Sequence, residues 1–190
     1  LAASLGRTSS ALGAGLDARS GWVLPAPALR GATRLAQVSF DVDHDGVVRR
    51  FSATKQSGGL SLPALPVAAA ALVSPGRTVP AGRVLVPDFR VRPGSVPVVG
   101  ASELLAGRSA GALRGRVVLL GATAAGLGDR YVSAGGAAGL PEPGVLVQAA
   151  AASCLLSGGL LRPAPPLLSG LLAAALAFAA TRASRTARRK

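Results

Sequence analysis

The chain has 190 residues, of which 49% are hydrophobic and only 3% aromatic, so its core must be built from valine, leucine and alanine. The formal net charge is +13, but the basic residues are scattered and few aromatic rings accompany them, which argues against nucleic-acid binding. The single cysteine, Cys154, and the single histidine, His44, exclude an internal disulfide and a Cys/His zinc site. Because the sequence lacks methionine and begins at Leu1, we expect a fragment of a longer protein.

The first half of the chain predicts alternating helices and strands. Small residues over 1–18 favour one loose helix, and Pro27 suits the first turn of a short helix over 27–35. An alternating strand over 36–40, an acidic turn and a second strand over 47–53 predict a β-hairpin. A helix over 61–73 follows, with Ser61 as its candidate cap.

The second half continues the alternation. Residues 84–91 predict a strand at a sheet edge, because Pro87 cannot donate to a ladder, and 101–106 predict a short helix. The apolar run 117–120 is too short for a helix and indicates a buried strand. Residues 144–157 predict a helix that Gly158 ends. The fold class is therefore α/β with a mixed sheet.

Residues 163–181 carry no charge and would span roughly 28 Å as a helix, close to the thickness of the hydrocarbon core of a bilayer. On one side the nearest basic residue is Arg162, whereas five cations follow the stretch, at Arg182, Arg185, Arg188, Arg189 and Lys190. This asymmetry predicts a transmembrane helix with residues 182–190 in the cytoplasm and residues 1–162 outside. The alternative is a buried helix with a solvated basic tail.

The acidic turn Asp41-Val-Asp43-His-Asp45-Gly46 copies the first half of a calcium-binding EF loop. The twelfth position should hold a bidentate glutamate, but Ser52 stands there, and Arg49 adds positive charge beside the turn. The flanks also indicate strands instead of helices. A tight acidic turn is therefore the better interpretation, and we expect no metal.

The glycine-rich stretch after residue 120 partly matches two phosphate-binding patterns. Gly121 and Gly126 have the spacing of a P-loop, but Leu127 and Gly128 stand where lysine and serine or threonine are required. A dinucleotide fingerprint would need a third glycine at Tyr131. With no histidine beside a nucleophile either, we expect no catalytic residues, no enzymatic activity and no cofactor.

Three motifs in order resemble one family, the CHASE domain of the second type, an extracytoplasmic sensory module of bacterial signalling receptors. They are PAPALRGATRLAQVSFDVDHDGVVRRF at 25–51, GRVVLLGATAAGLGDRY at 115–131 and PEPGVLVQAAAASCLLSGGLLRPAP at 141–165. The resemblance covers residues from about Leu16 onward and implies the C-terminal part of such a domain. It also implies a homodimer and a cytoplasmic kinase or cyclase beyond Lys190. Family members often carry histidine where Gln148 stands.

We therefore expect a partial extracytoplasmic sensory domain over 1–162, a transmembrane helix over 163–181 and a basic cytoplasmic segment over 182–190. Its function would be to relay an unknown small-molecule or protein stimulus across the membrane. A membrane-anchored enzyme fragment and a truncated receptor without output are the alternatives. The candidate residues, which would contact a ligand or fix the loops, are Asp43, Asp45, Gly46, Arg49, Gly121, Gly128 and Asp129.

Overall fold

A mixed α/β architecture with three separate sheets is seen in the computed structural model of the chain, which describes residues 9–31, 33–76, 79–127, 129–137, 139–162 and 165–187. The α/β class expected from the sequence is thereby confirmed. The strands are short, and the helix Gly144–Ser157 packs on the largest sheet, whereas the helix Leu65–Val73 packs on the three-stranded sheet.

The first sheet contains β1 (Ala11–Asp17), β2 (Gly21–Val23) and β3 (Arg34–Gln37), in the order β2-β1-β3. The pair β1–β2 is antiparallel and the pair β1–β3 is parallel, with α1 (Pro27–Arg30) between β2 and β3. The predicted helix over 1–18 is therefore wrong over the residues of β1. Its small residues allow close packing, since a Cβ atom on Gly13 would meet the Val38 side chain at 2.8 Å. Pairing with a distant strand, and not local propensity, decides this segment.

The second sheet is mixed and has the order β10-β9-β5-β8-β11, with β4 also paired to β5. Its central strand β5 runs parallel to β9 and antiparallel to β4 and β8, so the predicted mixed sheet is confirmed. The predicted hairpin is confirmed only in its second strand, because Asp41–Val42 pairs with β5, whereas the predicted first strand over 36–40 overlaps only the end of β3, which pairs with β1. The strands are β4 (Asp41–Val42), β5 (Val47–Ser52), β8 (Val84–Pro87), β9 (Arg130–Ser133), β10 (Glu142–Pro143) and β11 (Leu160–Leu161).

Strand β8 is not at the edge where Pro87 had placed it, because β11 pairs beyond it, with Pro87 opposite Leu160. Pro87 is the last residue of β8, where a missing N–H costs the ladder little.

The third sheet is the hairpin of β6 (Thr54–Ser57) and β7 (Leu60–Pro63). The turn between them, Gly58 and Gly59, has φ of 55° and 78°, which favours glycine at both positions. Helix α2 (Leu65–Val73) begins after β7, so the predicted helix over 61–73 starts four residues too early. Helix α3 (Ala101–Leu105) agrees with its prediction, and single 3₁₀ turns occupy Pro93–Ser95 and Ala110–Leu113.

Helix α4 (Gly144–Ser157) has the predicted bounds and ends at Gly158, which adopts a left-handed conformation with φ of 76°. It packs against α2 and against the second sheet, and its small alanine side chains allow these elements to approach closely. The buried core formed in this way consists of two neighbouring clusters: Phe51, Ala53, Ala64, Ala70, Leu85, Ala151 and Leu155 in one, and Val48, Phe89, Val147 and Ala150 in the other.

The predicted buried strand over 117–120 is wrong. These residues have no regular secondary structure, and Val118 and Leu120 are 51% and 90% exposed. No described strand pairs with this segment, so its apolar side chains have no sheet to join. A short apolar run indicates a strand only when a neighbouring strand is available.

The last helix, α5 (Pro166–Ala187), has exposed side chains over 167–182, which are the positions where its side chains are described. Among the described residues, no helix is long and apolar enough to cross a membrane. Pro163 and Ala164, which begin the predicted span, lie outside the described residues.

Candidate functional site

The acidic turn is a β-hairpin turn whose carboxylates are paired with arginines. Arg49 contacts Asp43 at 3.1 Å and Asp45 at 2.7 Å, and Arg50 contacts Asp43 at 2.7 Å. Gly46 adopts φ of 81° to close the turn. The arginines that follow the turn on β5 thus point back onto the aspartates that precede it.

These ion pairs govern the titration of the turn. Hydrogen bonds from Arg50 and then from Arg49 lower the pKa of Asp43, and the hydrogen bond from Arg49 lowers the pKa of Asp45 far below its ordinary value. The same contacts raise the pKa of Arg49. Guanidinium groups therefore occupy the carboxylate oxygens that a cation would need. Among the described residues, no cluster of three or more His, Cys, Asp or Glu side chains could hold a metal ion.

Asp41 lies at the start of the hairpin and is also neutralised. Its carboxylate accepts hydrogen bonds from the backbone and hydroxyl of Ser52, both at 2.9 Å, and contacts Lys55 at 2.8 Å. Burial opposes ionisation of Asp41, but the contacts with Lys55 and Ser52 outweigh it and lower the pKa. All three aspartates of the hairpin therefore have basic partners.

Asp129, which ends the glycine-rich stretch that begins at Gly121, lies against the start of α4. The carbonyl of Asp129 accepts a hydrogen bond from the Gly144 backbone at 2.8 Å. A Cβ atom on Gly144 would lie 2.5 Å from both carboxylate oxygens of Asp129, so any larger residue would displace this carboxylate from its position. An anion at the amino end of a helix is stabilised by the helix dipole. Asp129 therefore joins the loop to helix α4.

Gly121 also contacts α4. A Cβ atom at this position would meet the Cβ atom of Val145 at 2.6 Å, so Gly121 allows the loop to lie directly on the first turn of the helix. Gly128, another residue predicted for the site, lies outside the described residues.

Tyr131 connects the two predicted regions. Its ring packs edge-on against Phe40, with the ring centroids 4.9 Å apart, and Phe40 directly precedes the hairpin. Burial raises the pKa of Tyr131, and the charge of Asp129 and a hydrogen bond with it raise the pKa further. Because β5 and β9 are parallel, the acidic turn and Asp129 lie at the same end of the sheet. This is the amino end of both strands, whereas the sequence had placed the loop after a strand.

A cleft of about 370 Å³ opens beside Asp129 and Tyr131. The end of β1, Val23 of β2 and the segment after β3 form its other walls, with Asp17 and Ser39 as polar residues. The Ser39 hydroxyl accepts a hydrogen bond from the Leu16 backbone at 2.9 Å. The cleft therefore lies between the first and second sheets and has hydrogen-bonding groups on its walls.

A family model described as CHASE2 domain matches residues 1–181. The chain belongs to the CHASE2 domain family. No curated protein and no solved structure matches this CHASE2 domain. CHASE2 domains are extracellular sensory domains of membrane receptors and are not catalytic. The resemblance drawn from the three motifs is thus confirmed at the level of the family.

In this CHASE2 domain the residues predicted for the site fall into two groups. Asp43, Asp45, Gly46 and Arg49 come together in the hairpin turn, whereas Gly121 and Asp129 contact α4. Sequence reasoning missed the other residues that line the cleft with Asp129, among them Asp17, Val38, Ser39 and Tyr131. Tyr131 ends the GDRY motif, which was the one available signal.

Proposed function

We propose that this CHASE2 domain is the extracytoplasmic input domain of a bacterial membrane receptor and relays a stimulus through its C-terminal helix to a cytoplasmic output domain. The single observation that carries the proposal is the family match over residues 1–181, since the family is sensory. The stimulus would act by favouring one of two states of the domain. A homodimer is part of the same proposal.

The C-terminal segment supports the membrane relay. Residues 163–181 carry no charge, and the side chains of α5 described over 167–182 are exposed, including Leu167 at 77% and Leu176 at 71%. Exposed apolar side chains along a helix are those that a lipid environment would cover. Arg182 follows the uncharged segment and packs over the Phe178 ring at 5.5 Å.

A topology experiment tests the arrangement. A reporter enzyme that is active only outside the cytoplasm is fused after Arg162 in one fusion and after Lys190 in another. We expect activity from the first fusion and silence from the second, because the basic residues after Thr181 favour the cytoplasm. Equal amounts of the two fusions on immunoblots provide the control. The reverse pattern, or activity from both fusions, would overturn the proposed orientation.

A further inference from the structure

Phe89, which follows strand β8, adopts a backbone conformation that a bulky residue rarely takes. Its φ is 47°, in the left-handed region, and only 7% of the residue is exposed. The side chain packs with Val48, Val147 and Ala150, and a Cβ atom on Gly135 would lie 2.5 Å from the Cβ atom of Phe89. The surrounding core therefore holds Phe89 in a conformation that costs free energy. Backbone strain that is maintained by its surroundings is typical of switch segments.

Asp88 is a buried carboxylate at the same bend. Its Oδ1 atom accepts a hydrogen bond from the Arg90 backbone at 3.1 Å. Nε of Arg90 lies 2.7 Å from Oδ2 as an ion pair, although Oδ2 has no partner with hydrogen-bond geometry among the described residues. The Asp88 side chain is 7% exposed, whereas that of Arg90 is 86% exposed. A buried carboxylate whose described counter-charge lies in solvent also costs free energy.

Residues 88–90 contact the part of the chain that leads into α5. The Asp88 backbone donates a hydrogen bond to the carbonyl of Gly159 at 2.9 Å. A Cβ atom on Gly159 would lie 2.7 Å from Oδ1 of Asp88, so glycine lets the carboxylate pack directly on this residue. The next residues form β11, which pairs with β8 over Leu160–Leu161 only, and α5 begins shortly afterwards at Pro166. The Asp88 contact therefore lies beside the last described sheet pairing before the C-terminal helix.

We propose that residues 88–90 form a strained latch, which holds residues 158–161 against β8 and whose release frees the C-terminal helix to move. The inference rests on the proposed relay function and deepens it, because it names the place where a movement of the domain reaches the helix. On release, Phe89 returns to an ordinary negative φ and the Asp88 carboxylate gains water, and both changes offset part of the lost contacts. A stimulus that favours the released state then shifts the population towards it.

Amide hydrogen exchange of the full chain, followed by NMR in detergent micelles, tests the latch. The amide of residue 88 reports on the contact with Gly159, and the amides of Val147 and Ala150 in α4 report on global unfolding. We expect residue 88 to exchange by local opening, before the two α4 amides. Asp88→Ala should raise the opening constant at residue 88 about tenfold, because the carboxylate that holds the bend is lost. Gly159→Ala should have a similar effect, because its Cβ atom would displace that carboxylate.

Glycine and alanine at position 89 separate strain from packing. Phe89→Gly and Phe89→Ala both remove the ring, but only glycine adopts a φ near 47° without strain. The glycine variant should therefore open about threefold less often at residue 88 than the alanine variant. At a position with an ordinary negative φ the order would be reversed, because glycine loses more conformational entropy on folding.

The matched control is Asp17→Ala. Asp17 also accepts a hydrogen bond at Oδ1 from the backbone two residues later, that of Arg19 at 2.9 Å, but it lies in the first sheet. This variant should change the opening constant at residue 88 by less than about twofold. Three results would each overturn the latch: exchange of residue 88 only together with the α4 amides, an equal effect of Asp17→Ala and Asp88→Ala, or more frequent opening of Phe89→Gly than of Phe89→Ala. The exchange measurement does not depend on membrane orientation, so its failure would leave the receptor topology intact. Conversely, a contradiction from the topology fusions would overturn the relay and leave the latch contact intact.

Discussion

The hairpin turn and the cleft both carry aspartates, but these carboxylates meet different partners. In the turn, Asp43 and Asp45 each contact arginine, so their negative charge is neutralised within the domain. In the cleft, Asp17 and Asp129 accept hydrogen bonds from neutral groups, and their charge is not neutralised by a described basic side chain. The turn therefore fixes the structure of the hairpin, whereas the carboxylates beside the cleft have no ion pair with a described basic side chain.

In this domain the most recognisable sequence motif does not coincide with carboxylates that are free of ion pairs. The DVDHDG turn is the most recognisable pattern in the chain, yet Arg49 and Arg50 occupy its oxygens. The cleft has no sequence motif because its walls come from three distant parts of the chain. Charge compensation by nearby side chains, which spacing alone does not reveal, separates the two regions.

The largest expected effects come from two glycines: Gly144, which contacts Asp129, and Gly46 in the hairpin turn. Gly144→Ala should destabilise the domain by about 1–3 kcal/mol, because its Cβ atom would collide with the Asp129 carboxylate. Gly46→Ala should cost about 1–2 kcal/mol for a different reason, its φ of 81° in otherwise open space. Urea denaturation of the full chain measures both changes.

Asparagine distinguishes the two causes. Gly46→Asn should recover most of the stability, since asparagine tolerates the left-handed conformation, whereas Gly144→Asn should remain destabilised. Gly126→Ala is the control, because its added Cβ atom meets nothing within 4 Å and its φ is not in the positive range. If Gly144→Ala were as stable as the control, Asp129 would not be held against α4.

The hairpin and helix α4 could be predicted because their signals are local. Turn residues before the run over 47–53 indicate the hairpin, although its first strand is Asp41–Val42 and not 36–40, and Gly158 ends the helix through its own left-handed conformation. Strand β1 could not be predicted, since its small residues become a strand only by pairing with β3, about twenty residues away. The run over 117–120 failed for the opposite reason, because no described strand pairs with it.

The cleft was only partly predictable for a related reason. Asp129 was identified from its position after a glycine-rich loop, but Asp17 and Ser39 lie about a hundred residues earlier and carry no recognisable motif. The parallel pairing of β5 with β9 and the packing of α4 bring these segments together. Such long-range contacts follow from topology, which a single sequence does not specify.

The second prediction uses Tyr131, the single tyrosine of the chain, whose ionisation can be followed by ultraviolet absorbance. Its midpoint should lie above the ordinary value of 10.0, because burial and then the charge of Asp129 raise its pKa. Asp129→Asn should lower the midpoint towards 10.0, since it removes the negative charge that favours the protonated form of Tyr131.

Asp45→Asn serves as the control for this titration, because it removes the same charge from the turn. We expect it to leave the tyrosine midpoint unchanged. If both variants lowered the midpoint equally, the effect would be a general change in net charge, and the proximity of Asp129 to Tyr131 in the cleft would be contradicted. Far-UV circular dichroism at neutral pH establishes that both variants keep the wild-type fold.

The smallest effect is the acid dependence of the ion-paired turn. The pKa of Asp45 is lower in the folded chain than its ordinary value of 3.8, so the folded state favours the ionised form. The stability from this group is fully present above the ordinary pKa and is lost as pH falls through the folded pKa. Asp45→Asn should therefore be less stable than wild type at pH 7, and the difference should shrink below about pH 4.

In an Arg49→Gln background the same substitution should have almost no pH-dependent effect, because the hydrogen bond that lowers the pKa of Asp45 comes from Arg49. A difference that stayed constant from pH 7 to the acid limit would show that the Arg49 pair does not set the titration of the turn.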